Sequence, residues 1–116
     1  YSSATFTIKP AWLPENFSLT DEGENNASVF SMYENGTGGV LFISESEATD
    51  TSMAVDTEDA EVEAIQVQGY DGKLIQKENM TCILFLISEK NMLVYIDSEG
   101  IPSEQTLKVA ENLSIN

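Results

Sequence analysis

The segment "TCILFLISEKNMLVYI" (Thr81–Ile96) constrains the fold more than any other. From Cys82 to Ile87 it is apolar at all six positions. A strand with one wet face alternates, so an unbroken run marks a central strand covered on both faces. Ser88–Asn91 turns the chain, and Met92–Ile96 returns against the first strand. Asp97–Gly100 is expected to end the sheet. A membrane-crossing helix needs about 20 apolar residues, so this run does not span a bilayer.

The rest of the chain must build the sheet around this pair. Residues 1–16 read as an N-terminal strand or arm, in which Phe6 and Ile8 alternate with Thr5, Thr7 and Lys9. Pro10 and Pro14 deny a helix between them, and Trp12, Leu13 and Phe17 are placed to clamp the arm to the core. Phe17–Thr20 starts a strand, and Asp21–Asn26 ("DEGENN") reads as a turn. Val29–Glu34 is a second strand, with Val29, Ser31 and Tyr33 on one face and Phe30 and Met32 on the other. Asn35–Gly39 ("NGTGG") is a hairpin signal, because Asn-Gly tolerates positive φ. Val40–Ile43 is apolar on both faces and reads as an interior strand, followed by a polar loop over Ser44–Ser52. Glu61–Gln68 is a strand. Ile65 and Val67 share one face while Val62 and Ala64 are out of phase, which predicts a β-bulge near Ala64. Tyr70–Lys73 ("YDGK") reads as an Asp-Gly hairpin turn, and Leu74–Lys77 as the returning strand.

A helix is expected over residues 102–115. Pro102 or Ser103 starts it, Glu104 sits in its first turn, and Leu107, Ala110 and Leu113 form an apolar stripe with Val109 beside it. Three turns alone are marginal in water, so the helix must dock on the sheet. Strands followed by one helix predict an α+β domain rather than alternating βα units. The expected architecture is a curved, meandering antiparallel sheet of six or seven strands over residues 17–100, with the C-terminal helix on one face, all within a single domain over residues 1–116.

Charge removes several functions. The chain holds 20 acids against five lysines, with no Arg and no His, for a net charge of −15. Fourteen of the acids lie between Lys9 and Lys73, where no basic residue intervenes. Nucleic acid and anionic lipid surfaces are repelled by such a field. Without His, the commonest general base and metal ligand is missing. Cys82 is the only cysteine, so no intrachain disulfide forms. The Asn-x-Ser/Thr sequons at Asn16, Asn26, Asn35, Asn79 and Asn112 include one leading into the most apolar strand, so they read as the meaningless sequons of a prokaryotic protein. The chain opens on Tyr1 with neither Met nor signal peptide and reads as a piece of a longer protein.

The residues bring three chemistries into question. Only oxygen ligands are available in number, so Ca²⁺ is the metal to test, and Asp56, Glu58, Asp59 and Glu61 are the candidate loop. The preferred reading is a solvated acidic lead-in that guards an edge strand, with no metal and no cofactor. Asp21–Met32 is no EF-hand, because Asn26 stands at the sixth place and Met32 at the twelfth. Paired carboxylates for glycoside hydrolysis need burial that separates their pKa values, and these acids fall in turns and on polar faces. Cys82 has no His to activate it and reads as a small buried hydrophobe. Trp12, Phe17 and Tyr33 read as packing residues rather than a carbohydrate platform. No catalytic residue is assigned and no enzyme activity is expected.

The order of "LPENF" (Leu13–Phe17), "YENGTGGVLFIS" (Tyr33–Ser44), "DTEDAEVEAIQVQGYDGKL" (Asp56–Leu74), "ILFLISEKNMLVYI" (Ile83–Ile96) and "SEQTLKVAENLSI" (Ser103–Ile115) resembles a bacterial family, the domain of unknown function numbered 4367. The resemblance implies an extracytoplasmic C-terminal domain of a membrane-anchored Gram-positive protein, in some members with an anti-sigma-factor-like N-terminal region. Tethering would then come from a segment upstream of Tyr1. In the family an aromatic is usual in the first late strand, and Phe85 stands there. No catalytic residues transfer. The implied function is a non-catalytic sensing or binding domain in envelope signalling, whose partner is a protein, a peptide or an envelope component. A looser similarity to the curved sheets of lipoprotein carriers and sigma-regulator sensors implies an alternative, a carrier of a hydrophobic ligand such as a lipid tail or peptide.

Overall fold

A computed structural model of the chain describes residues 9–24, 28–47, 60–88 and 91–114. Seven strands form one antiparallel sheet: β2 (Ser18–Glu24), β3 (Ser28–Glu34), β4 (Val40–Glu47), β5 (Glu61–Val67), β6 (Tyr70–Lys77), β7 (Met80–Ile87) and β8 (Met92–Glu99). One helix, α1 (Ser103–Glu111), follows them. A short β1 (Lys9–Pro10) pairs with β9 (Leu113–Ser114), which ties the N-terminal arm to the chain leaving the helix. The α+β architecture expected from the sequence is therefore present.

The strand order is β2-β3-β4-β8-β7-β6-β5. Two meanders, β2–β4 and β5–β8, meet where β4 pairs with β8. A single meander would have set β5 beside β4. The observed order instead puts β4, β8 and β7, which carry the longest unbroken apolar runs, in the middle. β7 is covered on both faces, as its unbroken run demanded, while Phe42, Ser44 and Tyr95 on the far face of β4 and β8 are half-buried. On the helix side Leu41, Ile43, Ile83, Phe85, Val94 and Ile96 pack with Val67, Val109, Ala110 and Leu113. On the other side Ile75, Cys82, Leu84 and Leu93 form a second cluster, joined by Tyr95 and Ala60. Trp12, Leu13 and Phe17 pack onto the first cluster, so the proline-bounded arm is clamped as expected.

Several local expectations are corrected. Asp21–Glu24 is not a turn but the second half of β2, paired with β3 from Asp21↔Met32 to Glu24↔Val29. Ser44–Glu47 likewise continues β4, where β3 and β8 pair with it on both sides. In both stretches, backbone pairing outweighs the low strand propensity of Asp, Glu and Gly. The pairing of β5 with β6 runs without a shift from Glu61↔Gln76 to Val67↔Tyr70, so no bulge occurs at Ala64. Val62 stays on the face opposite Ile65 and Val67 and is 48% exposed, which an edge strand tolerates. Among the described residues the one register shift adjoins Thr20, between Leu19 and Asp21 in β2.

Tyr70–Lys73 is not a turn either. The hairpin turns at Gln68–Gly69, with φ values of 54° and 88°, and Asp71-Gly72 lies inside β6. Gly72 answers a different need. A Cβ there would sit 2.6 Å from the Leu84 carbonyl oxygen and 2.7 Å from Phe85 Cβ. The glycine lets β6 and β7 approach beneath Phe85, and Tyr70 stacks on the Phe85 ring with centroids 6.4 Å apart. The Asn35–Gly39 hairpin forms as expected, and Asn35 Oδ1 accepts from Thr37 N at 2.8 Å and Gly39 N at 2.9 Å.

The helix is shorter than expected, ending at Glu111, and Leu113 belongs to β9. Its buried residues are Thr106, Val109 and Ala110, so the docked face is rotated from the Leu107–Ala110–Leu113 stripe. Thr106 Oγ1 and Ser98 Oγ are hydrogen-bonded at 2.6 Å inside the interface. Ser98 Oγ also reaches the Thr81 carbonyl at 3.3 Å, so one polar chain links helix, β8 and β7. At the far end Gln68 Nε2 donates to the Ala110 and Leu113 carbonyls, both at 3.0 Å, and helps satisfy the helix C-terminus.

Candidate functional site

Two connections meet at one end of the sheet. The β6–β7 turn at Glu78–Asn79 lies beside the link from β8 to α1, and Gly100 N donates to the Asn79 carbonyl at 3.2 Å. Between them opens a groove of about 440 Å³. Gln76, Glu78, Asn79 and Met80 line one wall, and Ile101, Pro102 and Ser103 the other. Met80 is 44% exposed, and Glu78 is a non-glycine residue held at φ 52°. Asn or Gly adopts that backbone more cheaply. The groove was not legible in the sequence, because it exists only where two distant turns meet.

A second polar group is built into the sheet. Cys82 pairs with Asp97 in register, and Leu84 with Tyr95, so Cys82, Tyr95 and Asp97 share the face opposite the helix. Burial pushes the Cys82 thiol up to about 11, against a smaller lowering by its hydrogen bond with Tyr95. Burial also raises the Tyr95 hydroxyl, with the Cys82 hydrogen bond adding to it. The Asp97 carboxyl is raised by burial first, while the Ser98 backbone N–H partly opposes that. A nucleophilic cysteine needs the reverse, a lowered pKa and a thiolate near neutral pH. The buried reading of Cys82 agrees with this environment.

Of the candidate Ca²⁺ loop, Asp56, Glu58 and Asp59 lie outside the described residues. Glu61 opens β5 and is exposed, as is Glu63. Among the described residues no cluster of three or more acids or cysteines is arranged to hold a metal. Trp12 packs on the core and carries the Lys108 ammonium over its ring at 4.3 Å, while Tyr33 is buried, so these aromatics serve packing. One acid escaped the sequence reading: Glu45 is only 4% exposed, beside Val94 on the helix face of β4. Continuing the Leu41–Ile43 alternation two residues further would have found it.

No described helix is long and apolar enough to cross a membrane. No curated protein matches the chain. A crystal structure of a protein from Bacteroides thetaiotaomicron VPI-5482 shares the fold with a TM-score of 0.54 at 16% identity, covering 90% of this chain and 43% of the other. The present chain thus spans less than half of that protein. The family model of a domain of unknown function, DUF4367, matches residues 7–113, from the N-terminal arm through the start of β9. With nearly the whole fold inside that match, the chain belongs to the DUF4367 family.

Proposed function

We propose that this domain is a non-catalytic extracytoplasmic sensing or binding module, tethered to the cell membrane by a segment upstream of Tyr1 and acting in envelope signalling. The observation that carries the binding part is the groove of mixed polarity at the sheet end, mounted on a packed frame. Burial pushes the Cys82 thiol up to about 11, away from the thiolate a nucleophile needs, which supports a non-catalytic reading of that cysteine. The extracytoplasmic part rests on what the family resemblance implies. The alternative, a lipid or peptide carrier, calls for unfilled apolar volume along the sheet. Ile83, Leu84 and Phe85 are instead fully buried, on alternating faces of β7.

The test uses the full-length protein in its own cells, with an epitope tag in this domain. Protease added outside intact protoplasts is expected to remove the tag while a cytoplasmic control survives. Digestion only after lysis would overturn the extracytoplasmic assignment.

A further inference from the structure

We propose that the groove between the β6–β7 turn and the β8–α1 link binds an ammonium or guanidinium group on an aliphatic stem, the chemistry of a Lys or Arg side chain or of a free alkyl amine. This deepens the binding reading above and rests on it. Ligand sites run to roughly 300–1,000 Å³, and this groove, at about 440 Å³, falls within that range.

Its lining matches such a ligand part by part. Among the described lining residues Glu78 supplies the one formal charge, and the Gln76 and Asn79 amide oxygens are further acceptors. Met80, Ile101 and Pro102 give apolar surface for the stem, as long cationic side chains require. None of the lining residues is cationic. Lys77 comes just before Glu78, but strand alternation sets it on the face opposite Gln76. Lys77 and Glu99 are both in register with Met80, so they share its face and their opposite charges offset one another. A helix N-terminus beside the groove would by itself favour an anion, and α1 starts there without a side-chain cap. Glu104 in its first turn offsets that dipole. The net charge of −15 further concentrates cations near the surface. Glu78 is held in a left-handed backbone at the mouth, where Asn or Gly would be cheaper.

The experiment titrates the isotope-labelled domain at physiological salt with three probes: acetyl-Gly-Lys-Gly-amide, the same peptide with norleucine for lysine, and cadaverine. Amide shifts are followed by NMR. The expected result is saturable shifts of Gln76–Thr81 and Gly100–Ser103 with the two cationic probes and none with the norleucine peptide. Glu78→Gln should weaken binding roughly five- to tenfold, the scale of one charge-assisted hydrogen bond, while keeping a folded spectrum. Tighter binding of the peptide than of cadaverine assigns a peptide source, and the reverse assigns a free amine. Shifts spread along the acidic β2 and β5 edges, an unchanged affinity in Glu78→Gln, or no saturable shift overturn the proposal. Those results remove this site and its ligand class, whereas the protoplast digestion judges the extracytoplasmic reading by itself.

Discussion

Gly72→Ala tests whether Asp71-Gly72 is a strand position under close approach or a turn. In the strand, the added Cβ meets the Leu84 carbonyl oxygen at 2.6 Å and Phe85 Cβ at 2.7 Å. Neither atom is the free end of a flexible side chain, so β6 and β7 must separate or the Phe85 packing must shift. Phe85 is fully buried, and its ring stacks on Tyr70, so relaxation there disturbs the helix-side core. Overpacking of this kind costs about 1–3 kcal/mol, and the fixed neighbours place this site near the upper end, about 3 kcal/mol. For a domain of this size that lowers Tm by about 10 °C. Gly69→Ala is the internal comparison. Gly69 sits at φ 88° with nothing within 4 Å of the new Cβ, so it bears only the left-handed backbone cost, about 1–2 kcal/mol. Urea unfolding with an unchanged slope reads both. The reasoning is refuted if Gly69→Ala costs as much as Gly72→Ala, or if Gly72→Ala leaves the midpoint unmoved.

Thr106→Val keeps the shape of the docked helix face but deletes the buried hydroxyl 2.6 Å from Ser98, so unfolding free energy should fall by about 1–2 kcal/mol; no loss would mean the hydrogen bond contributes nothing net. Cys82 is raised from 9.0 to about 11, so its contribution to stability is intact below pH 9 and is lost as pH rises through 11. Denaturation across that window should show the fall, and Cys82→Ala should show a shallower one. Asp97 is raised above 3.8, so its ionised form costs folding energy at neutral pH and the cost fades as pH drops towards 3.8. Asp97→Asn should therefore raise Tm at neutral pH, with the gain shrinking in acid; a loss at neutral pH would show that the carboxylate's hydrogen bonds outweigh its burial. Moderate salt should raise Tm, because screening at ~8–10 Å relieves the self-repulsion of a −15 chain, and a flat response would count against that.

The apolar patterns were legible, and the turn chemistry was only half so. Cys82–Ile87 named the central strand because six apolar residues in a row fit little else at that length. Asn35–Gly39 named its hairpin because the asparagine side chain closes the loop itself. Asp71-Gly72 misled for a reason outside its own segment. The same dipeptide that favours a turn also fits a strand where a neighbour crowds the backbone, and only Phe85 on β7 distinguishes the two. Asp21–Glu24 and Ser44–Glu47 misled because polar residues read as loop, whereas a strand paired on one or both sides needs no apolar side chains to hold its backbone. The groove was missed because it exists only where two turns distant in sequence meet, and Glu45 because the Leu41–Ile43 alternation was not carried into the polar end of β4.

The β4–β8 pairing also explains where the acids went. An open sheet has two edges, and an exposed edge offers unpaired backbone groups to any other strand. The strand order sends β2, with Asp21, Glu22 and Glu24, to one edge and β5, with Glu61 and Glu63, to the other. The apolar strands occupy the middle because the acidic ones occupy the rims. The strongest sequence signal for a site, the carboxylate-rich composition, is therefore largely a signal about edges at these positions. Glu78 differs from the edge acids in one respect that matters for function. It stands on a turn at the sheet end, in a left-handed backbone, beside an opening of mixed polarity. Edge protection gives no reason for a carboxylate there, and cation binding does.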